Sequence, residues 1–463
     1  MAAAVLPASP PASAAITPPE PVYRVRVAIR TTAPQAVLRL RGDADLIQAR
    51  VASTTGTDRA SWGGFGPGPF LVSGRAGARR AAATFVAALT PGDGGPVRFG
   101  LATRGRGATT IRLSNANSGT VSPLRTVRDL GPGRERFSVP VASVAAGGPV
   151  PGTEPLPPQA LAFYYPWYEP SDWSGGKPIA PSNAIDTPYW SGDPAVIDRH
   201  ITQARAAGLD GFVVSWWGRE APWDANTKAL VERLPPGFTF ALYVETFSPH
   251  FGTVTDLIEE LDYALDTYAA SDRYFRIDGR PVLYAFSTHN VLTPVEAPGK
   301  TPGYEEIWER VRAALATLGH HPLLIGEGRP FSVSDFDVFD GMHVYGTQDP
   351  AQTSRLDREM ALTARAWAAV HGGSRRIWAA SVVPGYDDRH IPGRKPDYFP
   401  RDDGRLYEEQ WTAAIDSHSD QALVVSFNEW METTNIEPNL EWGTRYLDLT
   451  AMLTDRFRQS RAP

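Results

Sequence analysis

ALAFYYPWY (160–168), PAVIDRHITQARAAG (194–208) and GFVVSWW (211–217) decide how this chain folds. The first and third runs are apolar on both faces and rich in aromatic and β-branched residues, as in strands buried on both sides. The run between them repeats apolar residues at 196, 197, 201 and 204, one face of an amphipathic helix, and ends at Gly208. Strand, helix, strand in this order is a βαβ unit, which makes parallel neighbours.

The alternation continues to the C-terminus. Further strands are read at FTFALYVET (238–246), PVLYAFS (281–287), HPLLIGEG (321–328), DGMHVYG (340–346), RIWAASVVPGYD (376–387) and QALVVSFNEW (421–430). Helices are read near 225–233 and over 253–269, 303–318, 354–371, 405–416 and 442–457, with none between 328 and 340. Eight strands interleaved with helices predict a closed (β/α)8 TIM barrel over residues 160–463 rather than an open sheet.

Upstream the pattern changes. VYRVRVAIR (22–30), AVLRLRG (36–42), AATFVAALT (82–90), VRFGLATRG (97–105) and TTIRLSN (109–115) are short strands between Gly/Pro turns. They predict a smaller all-β sandwich over 22–144, preceding the barrel. AAGGPVPGTEPLPPQ (145–159) is a linker by composition. Residues 1–21 read as a disordered leader or signal-peptide remnant, with Ala12-Ser13-Ala14 as a cleavage-like site. Secretion or a cell-surface location is the expectation, although a basic start and an apolar core are missing.

Composition narrows the function. The 463 residues suffice for two domains. No cysteine is present, which excludes disulfides, thiolate metal sites and a Cys nucleophile. The nine His form no HExxH or HxH pair, so no metal and no cofactor are expected. The net charge is −6 and no basic stripe marks the barrel, which argues against nucleic acid. Arginines are frequent in the β-domain but alternate along its strands, as on a solvated sheet face. No apolar run is long enough to span a bilayer. Thirteen Trp and sixteen Tyr are many, and aromatic faces suit sugar rings.

Active sites of such barrels lie at the C-terminal strand ends. Those positions hold Tyr164, Tyr165, Trp167 and Tyr168 on the first strand, Trp216, Trp217 and Arg219 on the second, and Tyr243, Glu245 and His250 on the third. Ser287 and His289 follow on the fourth, Glu327 on the fifth, His343 and Tyr345 on the sixth, and Tyr386, Asp387 and Asp388 on the seventh. The eighth ends in Asn428, Glu429, Trp430, Glu432 and Glu437. There is no nucleophilic Ser elbow and no phosphate loop. Aromatics with paired acids fit glycosidic-bond cleavage, where one acid protonates the leaving oxygen and a second serves as base or nucleophile. Glu429 and Glu432 are the expected catalytic pair, facing one cleft if the chain turns there. Of Trp216 and Trp217, strand alternation turns one to the core and the other to the barrel mouth. Trp62, Phe65 and Phe70 in SWGGFGPGPF (61–70) either present aromatics to a glycan or cover the end of the sandwich.

AFYYPWY, VVSWWG, LYVET and above all SFNEWMETTNIEP (426–438) resemble glycoside hydrolase family 99, the retaining endo-α-mannosidases and endo-α-mannanases. The last stretch follows that family's NEWHEGTQIEP, and the resemblance spans roughly 160–455. It implies Glu429 as general base and Glu432 as acid/base, acting through a 1,2-anhydro sugar, with α-mannan or a mannose-bearing glycan as substrate. It also implies sugar contacts from Trp216 or Trp217, Glu245 and Tyr345. Tyr164, Tyr165, Trp167, His289, Asn428 and Trp430 complete the expected substrate-binding set. Met431 and Thr433 stand where the family has His and Gly, and a β-domain of this kind is not typical of it. Both departures bear on the substrate more than on the reaction. Two alternatives remain open: a polysaccharide-biosynthesis transferase on the same barrel, and a non-catalytic glycan-binding protein.

Overall fold

The computed structural model describes residues 17–92, 95–130, 133–293, 303–328, 334–346 and 349–461. Residues 1–16, with Ala12-Ser13-Ala14, lie outside the described residues.

The N-terminal part is a pair of antiparallel five-stranded sheets. One has the order β3-β6-β1-β8-β9, from Asp45–Thr55, Ala81–Thr90, Tyr23–Thr31, Thr109–Asn115 and Ser122–Leu130. The other has the order β10-β7-β2-β5-β4, from Arg134–Val139, Val97–Arg104, Gln35–Arg41, Pro69–Gly74 and Thr57–Trp62. Alternate residues such as Val25, Val27, Ile29, Leu38, Leu40, Phe85, Phe99 and Leu101 close a core between the sheets. Burying each such side chain stabilises by about 1.5–3 kcal/mol.

Eight parallel strands make the barrel: Gln159–Tyr164, Gly211–Trp216, Thr239–Glu245, Arg280–Phe286, Leu323–Glu327, Gly341–His343, Ile377–Val382 and Gln421–Val424. The eighth pairs with the first, and the third with the fourth, so the sheet closes. Leu161, Phe163, Val213, Tyr243, Tyr284, Ile325 and Leu423 fill the interior. Their neighbours Ala162, Tyr164, Phe212, Val214, Leu242, Leu283 and Val424 pack outward against the helices. The period-2 alternation of each strand thus decides which strand-end residues reach the mouth.

One expectation needs correction. The eighth strand ends at Val424, not at Trp430, and the chain from 425 to 437 leaves the ladder to form the mouth of the barrel. The Pro/Gly stretch 145–159 is pinned: Val150 N–H donates to Val22 O, and Leu156 N–H to Asp420 Oδ1. Of the two readings of the aromatics in 61–70, the structure fits the covering one. Phe70 is in the sandwich core, Trp62 packs on that core, and Phe65 packs at the junction with the barrel.

That junction is built by the β3–β9 sheet and the long barrel helix Pro350–His371. Val22, Ile47 and Ala88 pack on Leu362, Ala366, Ala369 and Val370. Arg358 on the helix forks onto Glu20 at 2.6 and 2.8 Å and reaches Asp45 at 3.0 Å. The sandwich therefore braces the barrel through one sheet and leaves the outer face of the other to solvent.

Candidate active site

The segment 425–437 is a turn held from both sides. Asn428 spends its amide on the first strand, accepting from Tyr165 N–H at 2.8 Å and donating to Tyr165 O at 2.9 Å. Ser426 Oγ accepts from Glu429 N–H at 2.7 Å. Arg401, buried between the rings of Trp442 and Tyr446, donates to Thr433 O at 2.9 Å and Asn435 O at 2.7 Å. Thr433 has φ 55°, the left-handed region that a β-branched residue adopts at a cost of about 1–2 kcal/mol. The turn geometry is the physical reason a glycine suits this position.

The turn brings Glu429 and Glu432 close enough to interact. Glu429 is buried, and its Oε1 accepts from Tyr168 O–H at 3.3 Å and Met431 N–H at 3.0 Å. Burial raises its pKa, and the charge of Glu432 raises it further. Glu432 lies at the cleft surface, where burial also raises its pKa but Arg394 opposes the shift. Arg394 meets Glu432 Oε1 at 2.6 Å, and Tyr386 O–H donates to the same oxygen at 3.4 Å. Each carboxyl's titration therefore depends on the charge of the other. Arg394 favours the charged form of Glu432, so Glu429 is the carboxyl pushed further toward its protonated form.

A cleft of about 420 Å³ opens beside Glu432, lined in part by His289, Glu327, Tyr345, Tyr386 and Asp388. Deeper in the mouth, Trp217 Nε1–H donates to Ser215 Oγ at 3.2 Å, and Ser215 O–H donates to Glu245 Oε1 at 2.6 Å. Burial pushes the Glu245 carboxyl up to about 8, with the charges of Glu432 and Glu327 adding to it. The hydroxyls of Tyr165 and Tyr345 meet at 2.5 Å. Tyr165, Trp167, Trp217 and Trp223 form an aromatic wall with successive ring centroids 4.6, 6.5 and 6.3 Å apart. Trp167 Nε1–H has no partner among the described residues. His289 lines the cleft with its Nε2 3.2 Å from Asp335 Oδ1, and its Nδ1 has no partner among the described residues.

Four expected substrate contacts face elsewhere. Tyr164 points outward by strand alternation, its hydroxyl 3.0 Å from His200 Nδ1. Trp216 also packs outward and donates to Asp224 at 2.9 Å. Trp430 is buried under the mouth against Trp173 and donates to Glu437 at 3.0 Å. Asn428 is consumed by the Tyr165 backbone, so it positions the turn. Glu437 is structural as well, taking His200 Nε2 at 2.8 Å and Tyr189 O–H at 2.9 Å. Sequence reasoning missed Arg394, because nothing in the loop 388–398 announces that it folds back onto Glu432. Ser215 was legible in principle, as the inward residue two before Trp217. One Asp/His grouping has metal-ligand spacing among the described residues, Asp262, Asp266 and His320. It lies on the helix Val254–Thr267 and just before the fifth strand, at the opposite end of the barrel.

A pair of interacting carboxylates, Glu429 buried and Glu432 at the surface of an aromatic-lined cleft, is equipped for acid/base cleavage of a glycosidic bond. Comparison with known proteins agrees. The profile of glycosyl hydrolase family 99 matches residues 183–461. A zebrafish glycoprotein endo-alpha-1,2-mannosidase-like protein is 26% identical over 300 residues, 58% of this chain and 62% of that protein. The mouse glycoprotein endo-alpha-1,2-mannosidase is 23% identical over 344 residues, 64% of this chain and 72% of that one. Among solved structures, the GH99 endo-alpha-mannosidase from Bacteroides thetaiotaomicron shares the barrel fold with a TM-score of 0.53 and 23% identity. That match covers 66% of this chain and 99% of the other. The chain is a glycoside hydrolase and belongs to glycosyl hydrolase family 99.

Proposed function

We propose that this enzyme hydrolyses α-mannosidic linkages inside a polysaccharide or glycan, with retention, through a 1,2-anhydro sugar. The observation that carries the reading is the single turn that presents Glu429 and Glu432 as a coupled pair at the mouth of the eighth strand. In an α-mannoside the 2-hydroxyl is trans to the leaving oxygen, so it can attack the anomeric carbon from behind. Glu429 takes the 2-hydroxyl proton while Glu432 protonates the departing oxygen. Water then opens the three-membered ring. Glu432 deprotonates that water, and Glu429 returns the proton to O2. Each carboxyl ends in its starting state, and no carboxylate need become a nucleophile, unlike the usual retaining scheme.

These roles require a proton on Glu432. Arg394 opposes that in the unliganded site, so the incoming glycan must displace Arg394, a half-exposed side chain on a loop. Its departure raises the affinity of Glu432 for the proton, and the two hydrogen bonds to Glu429 favour the anion there. The wall of Tyr165, Trp167 and Trp217 offers apolar faces to sugar rings on one side of the pair. The family relationship supports an α-mannoside, and the relatives named above are two endo-mannosidases and an endo-mannosidase-like protein.

The test is digestion of a panel of α-mannans and mannose-bearing glycans, with products analysed by mass spectrometry. Released oligosaccharides are expected. Release of monosaccharide only, or of nothing from every α-mannoside, refutes the reading. Tight binding without turnover would favour a glycan-binding protein.

A further inference from the structure

The β-domain carries an excess of positive charge that the barrel chemistry does not use. Residues 22–144 contain eighteen arginines, no lysine and six acids, in a chain whose net charge is −6. The arginines are not spread evenly in space. On the outer face of the β10-β7-β2-β5-β4 sheet, Arg39 and Arg41 stand on β2, Arg98 and Arg104 on β7, and Arg134 and Arg136 on β10. All six are exposed. Register places Arg41 opposite Arg98, and Arg39 and Arg136 on either side of Gly100. Gly100 matters here: a Cβ at that site would come within 3.0 Å of the Arg41 side chain. Without it, the centre of the face stays open as a groove of about 610 Å³ floored by Val37, Leu71, Gly100 and Ala102.

A solvated sheet face usually intersperses both signs, so that neighbours neutralise each other. Here Glu135 is the one acid touching the groove, and among the described residues none of the six arginines forms an ion pair. This face also points away from the barrel, since the sandwich docks on helix Pro350–His371 through its other sheet.

We infer that this arginine face is a binding site for a polysaccharide bearing carboxylate or phosphate groups, and that it tethers the hydrolase to such a polymer. Guanidinium forks match both anions bidentately. Neighbouring arginines lie about 7 Å apart along a strand and about 10 Å apart across two strands. The aromatic residues beside these arginines, Phe99 and Phe137, stack on each other and pack into the sandwich core instead of standing free for bases. None of the exposed large hydrophobic residues lies on it to enter a bilayer. The inference is independent of which linkage the barrel cleaves, because its readout is binding.

The full chain would be tested by affinity electrophoresis at about 0.1 M salt. The probes are polygalacturonate, a phosphorylated mannan, a neutral mannan, a 30-base-pair DNA duplex and phosphatidylglycerol vesicles. The comparison is a quadruple variant, Arg39→Gln, Arg41→Gln, Arg134→Gln and Arg136→Gln, whose thermal unfolding should match the parent. Binding to polygalacturonate or to the phosphorylated mannan is expected, the two arms telling carboxylate from phosphate. The variant should bind it about tenfold more weakly or worse, and binding to neutral mannan should be unchanged. No binding to either acidic polysaccharide, equal binding by the variant, or tighter binding to DNA or vesicles would overturn the inference.

Discussion

Replacing Arg394 by Gln should move the alkaline limb of the kcat/KM profile to higher pH while leaving the kcat profile in place. The Arg394–Glu432 contact is 2.6 Å, with the arginine side chain 46% exposed and the glutamate 15%. An arginine beside a carboxylate lowers its pKa by about 1–3 units. Half the guanidinium is in water, so screening weakens the effect and the limb should move by only a modest amount. The direction follows from the role of Glu432. The pair must hold one proton for Glu432 to act as acid, so activity is lost as pH rises through the pair's upper pKa, which the Arg394 cation lowers by acting on both carboxyls. Removing the cation raises that pKa, and the acid form persists to higher pH. Because kcat/KM reports the free enzyme, where Arg394 sits on Glu432, the shift belongs to that parameter. At saturation the glycan has already displaced Arg394, so the kcat profile should stay put. The assay is initial rates from pH 4 to 10 on the α-mannan that the enzyme cleaves best. An unmoved kcat/KM profile, or one displaced to lower pH, would refute the reasoning.

Two further substitutions follow from the site. Glu245→Gln should stabilise the fold more at pH 9 than at pH 5. The folded carboxyl is raised from 4.5 to about 8, so its favourable contribution is complete below pH 4.5 and disappears as pH rises through 8. The amide avoids that loss and still accepts from Ser215, for a gain of about 2–4 kcal/mol at high pH. Urea unfolding at both pH values checks this, and an equal effect at the two would count against a buried neutral Glu245. Asn428→Ala leaves the buried Tyr165 N–H and C=O without partners, at about 1–3 kcal/mol each. Unfolding by urea should show a loss of about 2–5 kcal/mol, and a loss below about 1 kcal/mol would mean that water or the backbone replaces the amide.

The barrel was legible because its signals are local. Helices read at 405–416 and 253–269 are found at Arg405–Asp416 and Val254–Thr267, since apolar periodicity and ends are written in consecutive residues. The helix read from 354 begins at Pro350, behind the cap of Asp349. The Asp-Pro pair carried that signal, but apolar periodicity overshadowed it. The reading of 421–430 as one strand failed at Val424, where tertiary bonds to Tyr165 and Arg401 override local preference. Alternation turns Trp217 and Glu245 to the mouth, although the sequence reading left the choice between Trp216 and Trp217 open. The same rule would have turned Tyr164 and Trp216 outward, had it been applied to every strand end. Contacts between distant loops, such as Arg394 with Glu432, left no local trace. The arginines of β2, β7 and β10 read as ordinary alternation one strand at a time. Only the sheet order gathers them on one face.

The central claim is that Glu429 and Glu432 together carry the hydrolysis, and isosteric removal of each carboxylate tests it most directly. Wild type, Glu429→Gln and Glu432→Gln would be compared for turnover of the best α-mannan and for binding of it by calorimetry. Each variant should lose about 10²–10⁴ in kcat and still bind the glycan. Turnover near the wild-type rate in either variant would contradict the account.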